Sequence, residues 1–165
     1  MGKLSNEDIL QKLTSTFNGS VSNVTQPYGL LTFETGREQL LEVLGYLKTE
    51  LQFIHLTDIT AIHYPELAKQ FAVVYHVHSL VNGIRIRVKV FLTADDLHIP
   101  TASDLWNGAN WMERETYDFF GIIFDGHPDL RRILNVDDMT AFPMRREYPL
   151  EDPNRIDKKD YFFGR

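Results

Sequence analysis

The 165 residues contain no cysteine. That removes disulfides, thiolate nucleophiles, thiolate zinc sites and cysteine-ligated iron–sulfur clusters together. Basic residues are outnumbered, 17 against 23 acids, for a formal net charge of −6. General duplex binding is therefore disfavoured, because it needs lysine and arginine clustered on one face. No apolar run approaches the length of a membrane span. The opening MGKLSNEDILQKL has no signal-peptide core, and Asn6 stands where a myristoylation pattern wants Ser or Thr. HExxH, a glycine-rich phosphate loop and GxSxG are all missing. Ser22, Ser79 and Ser103 lack the local signature of an activated nucleophile.

What is present is ordinary in bulk, 43% hydrophobic and 24% charged. The length suits about one domain, able to bury roughly two-thirds of its unfolded surface in a single core. Ser5 reads as the N-cap of a helix from Asn6 to about Phe17, with Ile9, Leu10, Leu13 and Phe17 at helical spacing. Strands follow at Val21–Thr25 and Tyr28–Glu34. A second helix spans Arg37–Glu50 with the stripe Leu40, Leu41, Leu44, Leu47 and a weakening Gly45. Phe53–His63, Phe71–Leu80 and Ile84–Val90 read as three more strands. The last alternates Ile84, Ile86, Val88, Val90 against Arg85, Arg87, Lys89, the pattern of a sheet buried on one face. Asn82-Gly83 between the last two reads as a type I′ hairpin. A third helix is predicted from an N-cap at Thr101 to Phe120, burying Leu105, Ala109, Met112, Thr116 and Phe119, with Gly121 just past its end. The expected fold is α+β: a mostly antiparallel sheet packed with two to three helices, followed by an extended carboxy-terminal tail. The domain is placed at 1–134 and the tail at 135–165, where charge and proline replace periodicity.

Of the six histidines, His76 and His78 share one face of a strand. With Arg85, Arg87 and Lys89 they line its polar side, which needs no metal.

The segment from Glu113 to Leu134, ERETYDFFGIIFDGHPDLRRIL, carries eight ionisable side chains besides His127 and Tyr117, interleaved with core-type residues. Such charges must pair internally or meet a partner. Arg114 and Asp118 are four apart, a natural ion pair, whereas Glu113 and Glu115 face different ways. Gly126 permits an unusual turn and Pro128 biases His127 away from helix. Asp129 is placed to cap the next turn or accept backbone amides. Arg131 and Arg132 are adjacent and must diverge, one inward and one outward. They pair with Glu113, Glu115 or Asp118 inside the chain, or at least one bonds across a boundary with another protein, or they meet a phosphate or nucleotide.

The pattern ERE-x-YD-x-FG-I-x-F-x-GHPDLRRIL, preceded by LW-x-x-A-x-W, closely resembles the signature of the 30 kDa (C) subunit of the proton-pumping NADH-quinone oxidoreductase, respiratory complex I. MRREYPL, with Arg145, Arg146, Glu147, Tyr148 and Pro149, resembles the family's second patch, although Ala141–Pro143 departs from the usual Gly-His-Pro type. The resemblance implies a cofactor-free, non-catalytic subunit of the peripheral arm. It implies packing mainly against the large D subunit of complex I, with the B and I subunits nearby, and no direct contact with nucleic acid or insertion into the membrane. It implies a place on the cytoplasmic side of a bacterial inner membrane. The residues expected at interfaces or in structural roles are Glu113, Arg114, Glu115, Tyr117, Asp118, Gly126, His127, Pro128, Asp129, Arg131, Arg132, Arg145, Arg146 and Tyr148. Tyr161, Phe162 and Phe163 join them as aromatic anchors, the alternative being that these three fold back on the domain.

Two other readings remain open. One is the equivalent subunit of a related plastoquinone-reducing or hydrogenase complex. The other is a small acid–base enzyme using Glu113, Glu115, His127 and Asp129, which requires a pocket where these groups converge.

Overall fold

The computed structural model describes residues 3–148, so Pro149 and the aromatic trio Tyr161, Phe162 and Phe163 lie outside the described residues. The elements run α1 (Asn6–Thr16), β1 (Ser22–Thr25), β2 (Leu31–Glu34), α2 (Leu40–Thr49), β3 (His55–His63), β4 (Phe71–Ser79), β5 (Ile84–Leu92), β6 (His98–Pro100), α3 (Ala109–Phe120) and β7 (Ile123–Asp125). Five strands form one sheet in the order β1-β2-β5-β4-β3, antiparallel except for β2 against β5. Strands β6 and β7 form a separate parallel pair. This is the α+β class expected, with three helices sharing one hydrophobic core with the sheet.

Ser5 caps α1 as expected. Its hydroxyl accepts the Asp8 amide, and the Asp8 carboxylate accepts the Ser5 amide, closing a capping box. Helix α2 buries Leu40, Val43, Leu44 and Leu47 and leaves Leu41 outside. The true stripe follows i, i+3, i+4, i+7, and Leu41 falls off that arc. In the sheet, Phe71, Val73, Tyr75, Val77 and Ser79 of β4 and Ile86, Val88 and Val90 of β5 are all buried. Their neighbours His76, His78, Arg85, Arg87 and Lys89 sit on the opposite face.

Four readings are corrected. The strand expected from Tyr28 begins only at Leu31, because Pro27–Gly29 makes a 3₁₀ turn with Tyr28 at φ 55° and Gly29 at φ 78°. In β3 a register irregularity between Leu56 and Asp58 shifts the parity, so Leu56, then Ile59, Ala61 and His63, point inward; one extra residue reverses which face each later side chain meets. The β4–β5 turn is a four-residue loop, since Ser79 pairs with Ile84. Only Gly83 of the Asn82-Gly83 pair has positive φ, and the Asn82 side chain bonds to the Ser79 hydroxyl. Helix α3 starts at Ala109, not after Thr101. Residues 101–108 make turns instead, because the Thr101 hydroxyl and the Ala102 amide are bound by the Glu113 carboxylate.

Candidate functional site

Helix α3 packs along β3, and the Thr116 hydroxyl bonds the Ile59 carbonyl. Its buried face carries Ala109, Glu113, Arg114, Thr116, Asp118 and Phe120. Three of these are ionisable, in place of the Met112 and Phe119 expected, which are only partly buried. Each finds its partners within the chain.

Asp118 is the hub. Its side chain is fully buried and pairs with Arg132 at 2.7 Å, whose side chain is only 8% exposed. Its other oxygen accepts the amides of Ile133, Leu134 and Asn135 at 3.1, 2.9 and 2.9 Å. Burial opposes ionisation, but these amides and the Arg132 guanidinium outweigh it and hold the carboxyl below the usual carboxylate range. The amide-accepting role expected of Asp129 thus belongs to Asp118, while Asp129 pairs with the exposed Arg131 at 2.9 Å. The expected Arg114–Asp118 pair does not form. Arg114 donates instead to the carbonyls of Arg131 and Arg132 and lies over the Trp111 ring.

The end of α3 is closed by side chains and backbone from residues 132–145. A helix leaves its last carbonyls without intrahelical donors. Here the Tyr117 carbonyl takes the Gly121 amide, that of Asp118 takes Arg132, that of Phe119 takes the Met144 amide and that of Phe120 takes Arg145. Two guanidinium groups at this negative end also suit the helix dipole. Arg132 further donates to the carbonyls of Met139 and Ala141. Phe142 lies between the two arginines, 5.2 Å from Arg132 and 4.6 Å from Arg145, and meets Tyr117 edge-on. Gly121 ends the helix at φ 76°, and a Cβ there would lie 2.7 Å from the Phe142 ring. The segment 139–146 is therefore a strap across α3, fastened further where the Arg146 amide bonds His63 and Arg145 lies over Phe71.

Glu113 sits apart from the arginines. It accepts from the Thr101 hydroxyl and the Ala102 amide and is fully buried. Burial is the main influence and raises its pKa from 4.5 to about 7, against the opposing pull of those two donors. His127 lies 4.0 Å away. Its Nε2 faces the Asn110 carbonyl and its Nδ1 accepts the Asp129 amide. Gly126 has φ 82°, as the turn requires.

Glu115, Arg131, Arg146 and Tyr148 are exposed, as are Pro128 and Asp129. Also exposed are Trp111 (60%), Leu134 (65%) and Val136 (67%), which the sequence pattern did not single out. Trp111 on α3 is joined through Arg114 to the 131–132 backbone, and Asp118 pins 133–135, which carry Leu134 and lead directly into Val136. The signal available for Phe142 was the departure at Ala141–Pro143.

The acid–base reading is not supported by this geometry. Glu113 points inward, Glu115 outward, His127 is spent on backbone groups and Asp129 on Arg131. None of the four lines the open groove between Ser103, Trp111 and Pro128. Among the described residues no cluster of His, Asp or Glu could hold a metal ion, and no helix is long and apolar enough to cross a membrane.

A family model described as respiratory-chain NADH dehydrogenase, 30 kDa subunit, matches residues 33–154. The NADH-quinone oxidoreductase C subunit of Citrifermentans bemidjiense is 44% identical over 150 residues, 91% of this chain and 93% of the relative. That of Geobacter metallireducens is 43% identical over 147 residues, 87% and 90% of the two chains. Among solved structures, the trypsin-resistant fragment of Nqo5 superposes with TM-score 0.67 at 34% identity, covering 75% of this chain and 98% of the fragment. A chain of an archaeal membrane-bound sulfane sulfur reductase superposes with TM-score 0.76 at 22% identity, covering 93% and 96%, a likeness of fold alone.

Proposed function

This chain belongs to the respiratory-chain NADH dehydrogenase 30 kDa subunit family, and from that premise we propose how it works: it braces its neighbours through a surface held rigid from inside. It is a non-catalytic component, of the 30 kDa type, of the peripheral arm of NADH-quinone oxidoreductase. The observation that carries the bracing role is the Asp118 hub, which fixes residues 133–135 while leaving Leu134 and Val136 exposed. A surface whose backbone is already ordered loses little entropy on docking. Trp111 and the exposed Arg131 add the residue types that dominate binding energy at interfaces.

In this reading the main partner is the large D subunit, with the B and I subunits adjoining. The complex lies at the cytoplasmic face of a bacterial inner membrane, and this chain reaches the membrane only through its partners. Electron carriers belong to the neighbours, and this chain keeps their spacing. A tagged full-length chain should recover the D, B and I subunits from gently solubilised membranes. Leu134→Glu with Val136→Glu should lower that recovery at least ~30-fold, about 2 kcal/mol, with an unchanged thermal midpoint. Full recovery by the double variant would remove these residues from the interface.

A further inference from the structure

The strap closes over the end of β3 and β4 at His63 and Phe71. The other end of the same strands, roughly 30 Å away for nine residues, has a different chemistry. On the outer face the register aligns His55, His78 and Arg85 near that end, and Asp58, His76, Arg87 and Thr32 in the next row toward the middle of the strands. Arg87 donates to His76 at 2.8 Å. Neither Arg85 nor Arg87 reaches a carboxylate at ion-pairing distance among the described residues. In a chain of net charge −6, these two rows carry two guanidinium groups against one carboxylate, that of Asp58, which lies 3.7 Å from His76, a local excess of positive charge.

The rim of that end is apolar and fixed. Leu80 and Val81 stand exposed on the β4–β5 loop, which is tied down by Asn82 to Ser79 and to the Leu4 amide. Tyr28 is fully exposed and held in a left-handed conformation at φ 55° between Pro27 and Gly29. An Asn6 bond to the Gly29 carbonyl fastens that turn, and Tyr28 shares one shallow groove with Arg85. Bulky residues in that conformation are strained and concentrate where a side chain must be presented.

We infer that this basic end, rimmed by Tyr28, Leu80 and Val81, is a second docking surface and takes an acidic protein surface rich in Asp and Glu. Charge complementarity selects such a partner and sets its register. With Leu134 and Val136 near the strap, the chain then bridges two neighbours across the length of its sheet. The inference goes beyond the bracing role and uses none of the residues on which that role rests.

The test uses the full chain in solubilised membranes. Arg85→Glu with Val81→Asp is expected to keep the wild-type thermal midpoint and to lose about tenfold in partner recovery at about 0.15 M salt. A photo-reactive side chain at position 81 is expected to cross-link a peptide rich in Asp and Glu. Unchanged recovery by the charge variant, or a cross-link to a basic peptide or to none, overturns the inference and leaves the Leu134–Val136 surface standing. Loss of binding to vesicles of phosphatidylglycerol and phosphatidylcholine, with protein recovery intact, also overturns it in favour of lipid. A wild-type chain that recovers no partner overturns both.

Discussion

Arg131 and Arg132 are neighbours with opposite surroundings. Arg131 is exposed and, among the described residues, pairs with Asp129, an arrangement worth little in water. Arg132 reaches the Asp118 carboxylate and three backbone carbonyls from inside the protein. Removing one partner of a buried pair leaves the other charged and unmatched. Arg132→Ala should therefore cost about 3–5 kcal/mol in urea unfolding, and Arg131→Ala within about 0.5 kcal/mol. Equal effects would deny Asp118 its role as a hub. The sequence marked both arginines and required them to diverge. It could not say which goes inward, because that depends on where α3 ends relative to residues 132–145, a long-range fact. For the same reason Asp129 looked like the amide acceptor: it is adjacent to the turn, whereas Asp118 arrives from a helix 15–17 residues earlier in the chain.

At the scale of elements, local rules located most helices and strands and failed where tertiary contacts overrode them. The alternation of β5 and the cap of α1 are local signals and are present in the structure. The inward parity of β3 was hidden because one irregularity reverses it. The start of α3 was misplaced because Thr101, with Asp104 three residues later, has the sequence features of a cap, but the Thr101 hydroxyl and the Ala102 amide bind Glu113 instead. Gly45 in α2 gives a direct test of a local rule. An added Cβ would meet nothing within 4 Å, so no close approach requires glycine there. Gly45→Ala should stabilise the protein by roughly 0.5–1 kcal/mol in thermal or urea unfolding. A loss of stability would mean that the helix needs glycine for a reason other than space. At the far side of the sheet, β1 is short, exposed and irregular in register, with Asn23 at φ 48°. Those features blunt a free edge against pairing with another chain.

For the whole molecule, two buried carboxyls pull stability in opposite directions with pH. Asp118 has a lowered pKa, so its contribution is complete above the ordinary carboxylate range and is lost on acidification. Glu113 has a raised pKa, from 4.5 to about 7. The folded state therefore binds more protons than the unfolded state across that window, and stability falls as pH rises through it, by on the order of 3 kcal/mol. Glu113→Gln keeps an acceptor for the Ala102 amide and should flatten the slope between pH 4.5 and about 7, measured by urea unfolding at a series of pH values. A slope identical to wild type would assign the titration elsewhere. The domain boundary drawn at residue 134 reflects the loss of periodicity there, and periodicity cannot register a strap whose bonds go from guanidinium groups to carbonyls. That strap has a temporal consequence. A nascent chain passes α3 through the ribosomal exit well before residues 144 and 145, so the carbonyls of Phe119 and Phe120 wait for Met144 and Arg145 to emerge. The helix that carries Glu113, Arg114 and Asp118 is thus capped only after a further 25 residues have been made, so its closure follows its formation.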